Sequence, residues 1–173
     1  MHPPSSLAMI AAFAGSRGAA PADPLRQPLT EARATALAYQ AIWNDPLPPI
    51  ARRQDLALRR SDGSALTLRL LDNRAGGGLR PVLVYFHGGG FALNGLDTHE
   101  RLMRLLAAQA DVAVLGVGYA LAPERRFPHQ LHQALDALAW LRDHGAEHGL
   151  DAGAMAVGGD SAGANLALAA TLA

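Results

Sequence analysis

The stretch "AVGGDSAGANLALAATLA", Ala156–Ala173, runs from apolar residues through a Gly-rich turn into an Ala- and Leu-rich segment. Gly159-Asp160-Ser161-Ala162-Gly163 fits G-x-S-x-G, the strand–turn–helix pattern that lifts a serine hydroxyl clear of a sheet. The flanking positions must be small because strand and helix crowd at such a turn. A helix starting at Ala162 points free N–H groups and a positive dipole end at the serine, where an oxyanion would develop. An ordinary serine on a Gly-rich turn would show the same letters, so the rest of the chain has to decide.

A second motif answers. "HGGG", His87–Gly90, stands directly after "PVLVYFH", whose unbroken apolar run predicts a strand buried on both faces. Consecutive glycines let a backbone turn and present successive N–H groups, as an oxyanion hole requires. A phosphate loop would end in G-K-[ST], whereas Phe91 follows Gly90. Both motifs follow buried strands and therefore share one sheet edge, the edge where parallel sheets bind ligands.

The remaining pattern supplies the frame. "VAVLGVGY" (Val112–Tyr119) and "AMAVGGD" (Ala154–Asp160) predict two more buried strands. Asp97 is expected to cap a helix reaching Ala110, with Glu100 as its capping-box partner. Pro128 is expected to start another, with Leu131, Ala134, Leu135, Leu138 and Leu141 on its apolar face. Leu56 and Leu58, then Leu66, Leu68 and Leu70, alternate on either side of Asp62-Gly63 and predict a hairpin. Upstream, Thr30 is expected to cap a helix presenting Ala34, Leu37, Ala38, Ala41 and Ile42 on one face, stopped by Pro46, Pro48 and Pro49. The order predicts an α/β fold whose mostly parallel sheet is entered by an antiparallel hairpin. Residues 1–50 form an N-terminal arm and lid helix, and residues 51–173 form the core.

Composition narrows the partners. The 173 residues carry no formal net charge and no cysteine, which removes disulfides, thiolate metal sites and a cysteine nucleophile. Nothing in the charge pattern calls for nucleic acid. No apolar run reaches the roughly 18 residues of a membrane span. No cofactor and no metal is expected, and an oligomer is left open. The short apolar run Leu7–Gly15 has no Lys or Arg before it, so a cytoplasmic protein is expected, with export through a short N-terminal signal as the alternative.

Together, "VLVYFHGGGFALNGLDTHERLMRLLA", "YALAPERRFP" and "AVGGDSAGANLA" resemble the hormone-sensitive-lipase-like (GDXG, family IV) esterases of the α/β-hydrolase fold. The match runs from roughly residue 54 to 173. The resemblance implies hydrolysis of carboxylic esters through a Ser-His-Asp triad, with a small-molecule ester as substrate. It makes Ser161 the nucleophile. Gly88, Gly89, Gly90 and Ala162 become the oxyanion hole, with the Gly89, Gly90 and Ala162 N–H groups as donors. His87 and Asp160 shape the loop, Phe91 and Leu93 line a substrate pocket, and Leu121–Glu124 is structural. Two positions depart from the pattern: Ala120 stands where an Arg is common, and Asn94-Gly95 where Gly-Asp is common.

The triad order in this fold is Ser, acid, His. All seven histidines (His2, His87, His99, His129, His132, His144 and His148) precede Ser161. His87 is expected to hold its loop, His129 and His132 to be solvated or capping, and Asp160 to orient no distant imidazole. The fold also wants further strands after the Ala162 helix, so the Asp160 strand is expected to be an exposed edge. The sequence therefore reads as an incomplete esterase, cut after the nucleophile-elbow helix and lacking the triad acid and histidine. The alternatives are a hormone-receptor-like small-molecule binder of the same fold and an inert gene remnant.

Overall fold

The computed structural model describes residues 26–173 except Ser61 and Ala75. The run Leu7–Gly15 lies outside the described residues. Two compact units are formed, Met1–Thr35 and Ala36–Ala173, and the sheet belongs to the second.

In chain order the elements are α1 (Leu29–Asn44), β1 (Arg52–Arg59), β2 (Ala65–Asp72), β3 (Arg80–Phe86), α2 (Glu100–Ala110), β4 (Ala113–Gly118), α3 (His129–His144), β5 (Leu150–Gly159) and α4 (Ala162–Leu172), with a 3-10 turn at Gly145–His148. The sheet order is β1-β2-β4-β3-β5. β1 and β2 form the expected hairpin, pairing Leu58 with Leu66 and Leu56 with Leu68. Gly63 (φ 79°) turns it, while the Asp62 carboxylate accepts the Ser64 N–H at 2.9 Å. β2 runs antiparallel to β4, and β3 is parallel to both β4 and β5.

Strand alternation sorts side chains into two layers. Val82, Val84 and Phe86 face one layer with Leu66, Leu68, Leu70, Leu115 and Val117, covered by Ala134, Ala137 and Leu141 of α3 and Leu166, Ala167 and Ala170 of α4. Leu71, Tyr85 and Val114 face the other, under Met103 and Ala107 of α2. Helices on both faces and continuously apolar strands are what a parallel sheet requires. As expected, β5 is an edge of this sheet, and Gly153–Ala156 are exposed.

Several local expectations are corrected. The α2 helix begins at Glu100 with His99 at its N-cap and no side-chain cap bond, so Asp97 does not cap it. Asp97 instead accepts from Arg69 Nη1 at 2.6 Å. Glu100 is no capping-box partner either, because it takes Arg69 (2.9 Å), Arg53 (3.0 Å) and Arg104. Buried Arg69 must be matched by charge, and that demand overrides the local capping rule. The cap comes from a distance: Asn44 Oδ1 accepts the Arg101 N–H at 2.9 Å, and Asn44 Nδ2 donates to the Thr98 carbonyl at 2.9 Å. Thr30 is likewise no cap, because α1 is already helical at Leu29 and the Ala32 N–H bonds to the Pro28 carbonyl. Ala34, Leu37, Ala38, Ala41 and Ile42, which share one face of α1, are exposed, and within this helix only Ala32 is buried. On α3, Pro128 is the N-cap and has no side-chain cap bond. His132 is exposed to solvent, one of the two roles expected of it, while His129 is half-buried with Nε2 3.4 Å from Arg60 Nη1.

Candidate active site

Ser161 sits between the last residue of β5 and the first of α4, at φ 50° and ψ −117°. A non-glycine residue with positive φ stores strain, and this is the conformation that projects a nucleophile from an elbow. Its two glycine neighbours are required by space. A Cβ at Gly159 would collide with the Phe86 carbonyl oxygen and lie 2.6 Å from the Gly163 carbonyl carbon. A Cβ at Gly163 would collide with the same Phe86 oxygen and lie 2.7 Å from the His87 oxygen. Thus the end of β3 passes directly under the elbow, bringing the loop at His87–Gly90 beside Ser161.

Asp160 ties the two motifs together. Its Oδ1 accepts the Gly88 N–H at 2.9 Å and the Tyr85 hydroxyl at 2.7 Å. It also lies 3.3 Å from His99 Nε2, so Asp160 does meet an imidazole, against expectation. Burial opposes its ionisation, but the Tyr85 hydroxyl, the His99 ring and the Gly88 N–H outweigh it and hold the carboxyl below its usual range. Burial, reinforced by Asp160, pushes the Tyr85 hydroxyl up.

The loop beyond Gly88 is closed by its own backbone. Gly89 (φ 125°) and Gly90 (φ 61°) occupy conformations that glycine tolerates. The Gly89 carbonyl accepts from the Ala92 and Leu93 N–H groups, and a Cβ at Gly89 would collide with the Leu93 carbonyl. Asn94 adopts φ 68°, in the left-handed region that asparagine shares with glycine. The N–H groups of Gly89, Gly90 and Ala162 bond to no described residue, and neither does the Ser161 hydroxyl.

His87 is 2% exposed, stacks on Tyr119 with centroids 4.3 Å apart, and places Nδ1 2.8 Å from the Gly88 carbonyl. Its own carbonyl accepts the Tyr119 hydroxyl at 2.6 Å. Burial drives its imidazole down to about 4, so the ring is neutral at pH 7 and committed to the loop. Because the folded value lies below the ordinary 6.5, the unfolded chain takes up the proton first. Stability is therefore expected to be intact above pH 6.5 and to fall as pH drops toward 4, by up to about 3 kcal/mol. Urea unfolding at pH 7.5 and 4.5 measures this, and His87→Gln is expected to reduce the difference.

Beside the loop lies an apolar pocket of about 430 Å³. Gly90 and Phe91 wall it on one side, Leu131 of α3 on another, and Asn165, Leu166 and Ala169 of α4 on a third. Phe91 lines this pocket, and Leu93 is not among the residues that wall it. Asn165 and His99 were not singled out from the sequence, and nothing in their spacing marks them. Among the described residues no group of three His, Cys, Asp or Glu could hold a metal, and no helix is long and apolar enough to cross a membrane.

A family profile described as alpha/beta hydrolase fold matches residues 83–173, which contain both motifs. The chain belongs to the α/β-hydrolase fold family. Within this family it is 48% identical over 93 residues to a carboxylic ester hydrolase, LipN, of Mycobacterium tuberculosis, covering 53% of this chain and 25% of that protein. It is 44% identical over 117 residues to an ethyl acetate hydrolase of Pseudomonas putida, covering 65% and 36%. The hyperthermophilic esterase of Pyrobaculum calidifontis superposes with a TM-score of 0.83 at 32% identity, over 99% of this chain and 54% of that one. The chain thus spans about half of this solved α/β-hydrolase, and about a quarter to a third of the two sequence relatives.

Proposed function

We propose that this chain carries the nucleophile half of a serine carboxylic ester hydrolase. One observation carries the reading: a serine at φ 50°, whose hydroxyl bonds to no described residue, lies beside a glycine loop clamped by Asp160, and the N–H groups of Gly89, Gly90 and Ala162 also bond to no described residue. In this reading the Ser161 Oγ attacks the ester carbonyl carbon, and the oxyanion is held by those three N–H groups. The Ser161 hydroxyl proton is passed on to the departing oxygen, so collapse of the tetrahedral intermediate releases a neutral alcohol and leaves an acyl-enzyme on Ser161 for water to hydrolyse. Gly88 and His87 shape the loop. Phe91, Leu131 and Leu166 would receive the apolar part of a small ester, in keeping with relatives named as acetyl ester and ethyl acetate hydrolases.

The proposal assigns the triad acid and histidine to the length that the relatives have and these 173 residues do not cover. The test is p-nitrophenyl acetate hydrolysis by the full product of the gene. Ser161→Ala is expected to lower kcat by at least about 10³-fold. Turnover that survives the substitution overturns the assignment.

A further inference from the structure

Asp160 Oδ1 accepts from two donors, Tyr85 and Gly88, on β3 and its loop. A third polar neighbour, His99, comes from a separate element, the N-cap of α2, and is 8% exposed. Its ring has two polar neighbours. Nε2 lies 3.3 Å from Asp160 Oδ1, and Nδ1 lies 2.8 Å from Thr98 Oγ1. That hydroxyl is 2.7 Å from the Gly95 carbonyl and accepts the Gly95 N–H at 3.0 Å. A hydroxyl has one proton. Given to the Gly95 carbonyl, that proton leaves Oγ1 as an acceptor toward Nδ1, so the ring is set with Nδ1 against the Gly95–Thr98 turn and Nε2 against the Asp160 carboxylate.

The position of that carboxylate matters at Gly88. A Cβ on Gly88 would collide with Asp160 Oδ2 and lie 2.9 Å from Cγ, so loop and carboxylate are in contact with no slack. Wherever Asp160 is held, Gly88 is held, and with it the start of the Gly89-Gly90 segment.

We infer that His99 is a positioning residue, which through Asp160 fixes the His87–Gly90 loop against the nucleophile elbow. The inference rests on reading that loop as the oxyanion hole. The titratable groups facing His99 are Asp160 after β5, Tyr85 of β3 and His87 just after that strand, the two rings lying 6.4 and 5.7 Å away. From α2 itself, Arg101 shares its pocket but sends its guanidinium to the Pro46 carbonyl, and Glu100 is committed to arginines. From α1 the neighbours are the uncharged Gln40, Trp43 and Asn44.

The test is amide hydrogen exchange, read by NMR on the 173-residue protein. In His99→Ala, exchange at Gly88 is expected to speed up about tenfold relative to Val84 in mid-β3, and in His99→Gln, which keeps an N–H donor, to stay within about threefold of wild type. Equal acceleration at Gly88 and Val84 means that His99 only packs, and overturns the inference. No change at Gly88 overturns it too. If His99→Ala does not fold, His99→Phe, which fills the space without a polar atom, is read in its place, and exchange at Gly88 no faster than at Val84 overturns the inference. The readout involves no turnover, so failure of the ester-hydrolase reading shows separately, in the Ser161→Ala kinetics.

Discussion

Gly163→Ala is expected to destabilise the protein by about 3 kcal/mol or more, at the upper end of overpacking costs. The added methyl would collide with the Phe86 carbonyl and lie 2.6 Å from the Phe86 carbonyl carbon. Both atoms are main chain at the end of β3, where Phe86 is paired with Val117 and Gly159, so no side-chain rotation relieves the clash. Either β3 parts from the elbow or α4 lifts from the sheet, and Leu166, Ala167 and Ala170 leave the core. Gly158→Ala is the control. There a Cβ would meet only the Leu83 Cδ1 at 3.4 Å, an ordinary contact at the tip of a side chain. Urea denaturation of the two variants measures the contrast, and similar midpoints for both would contradict the crowding argument.

The second large effect concerns catalysis by these 173 residues as an isolated polypeptide. Ser161-dependent hydrolysis of p-nitrophenyl acetate is expected to run at least about 10⁴-fold below that of an esterase with a complete triad. The N–H groups of Gly89, Gly90 and Ala162, proposed as oxyanion donors, bond to no described residue, but no described histidine bonds to Ser161 either. His87 is stacked on Tyr119 and bonded to its own loop, and His99 is turned toward Asp160. Without a base the hydroxyl keeps its proton and remains a poor nucleophile. Comparing wild type with Ser161→Ala gives the result, and an enzyme-like rate lost in the variant would refute it.

How much of this was legible in the letters depended on whether a residue's role was local. The strands of β3 and β4 were readable because burial on both faces leaves only apolar residues there. Gly159 and Gly163 were readable because main-chain distances dictate them, and any chain making this turn meets the same obstacle. Asp97 was misread for the opposite reason. Its capping sequence is sound, but buried Arg69 drew Asp97, Asp55 and Glu100 to itself from three segments. The shared face of α1 was readable but its exposure was not, because periodicity says which residues share a side and not what covers it. The bond from His99 to Asp160 follows no spacing rule, since it joins the N-cap of α2 to the residue after β5.

The borrowed cap on α2 has a consequence for anyone recombining this protein with its relatives. The amide of Asn44 is the last side chain of α1, and it terminates a helix that starts far along the sequence. A chimera spliced at the proline run near residue 48 carries the donor's residue 44 with it. If that residue lacks an acceptor oxygen, the Arg101 N–H goes unpaired and the register of the α2 entry loosens, although every residue of the host core is native. Splicing ahead of Asn44 keeps the fastening with its helix. The seam for exchanging N-terminal segments thus lies within α1, one side chain short of its end.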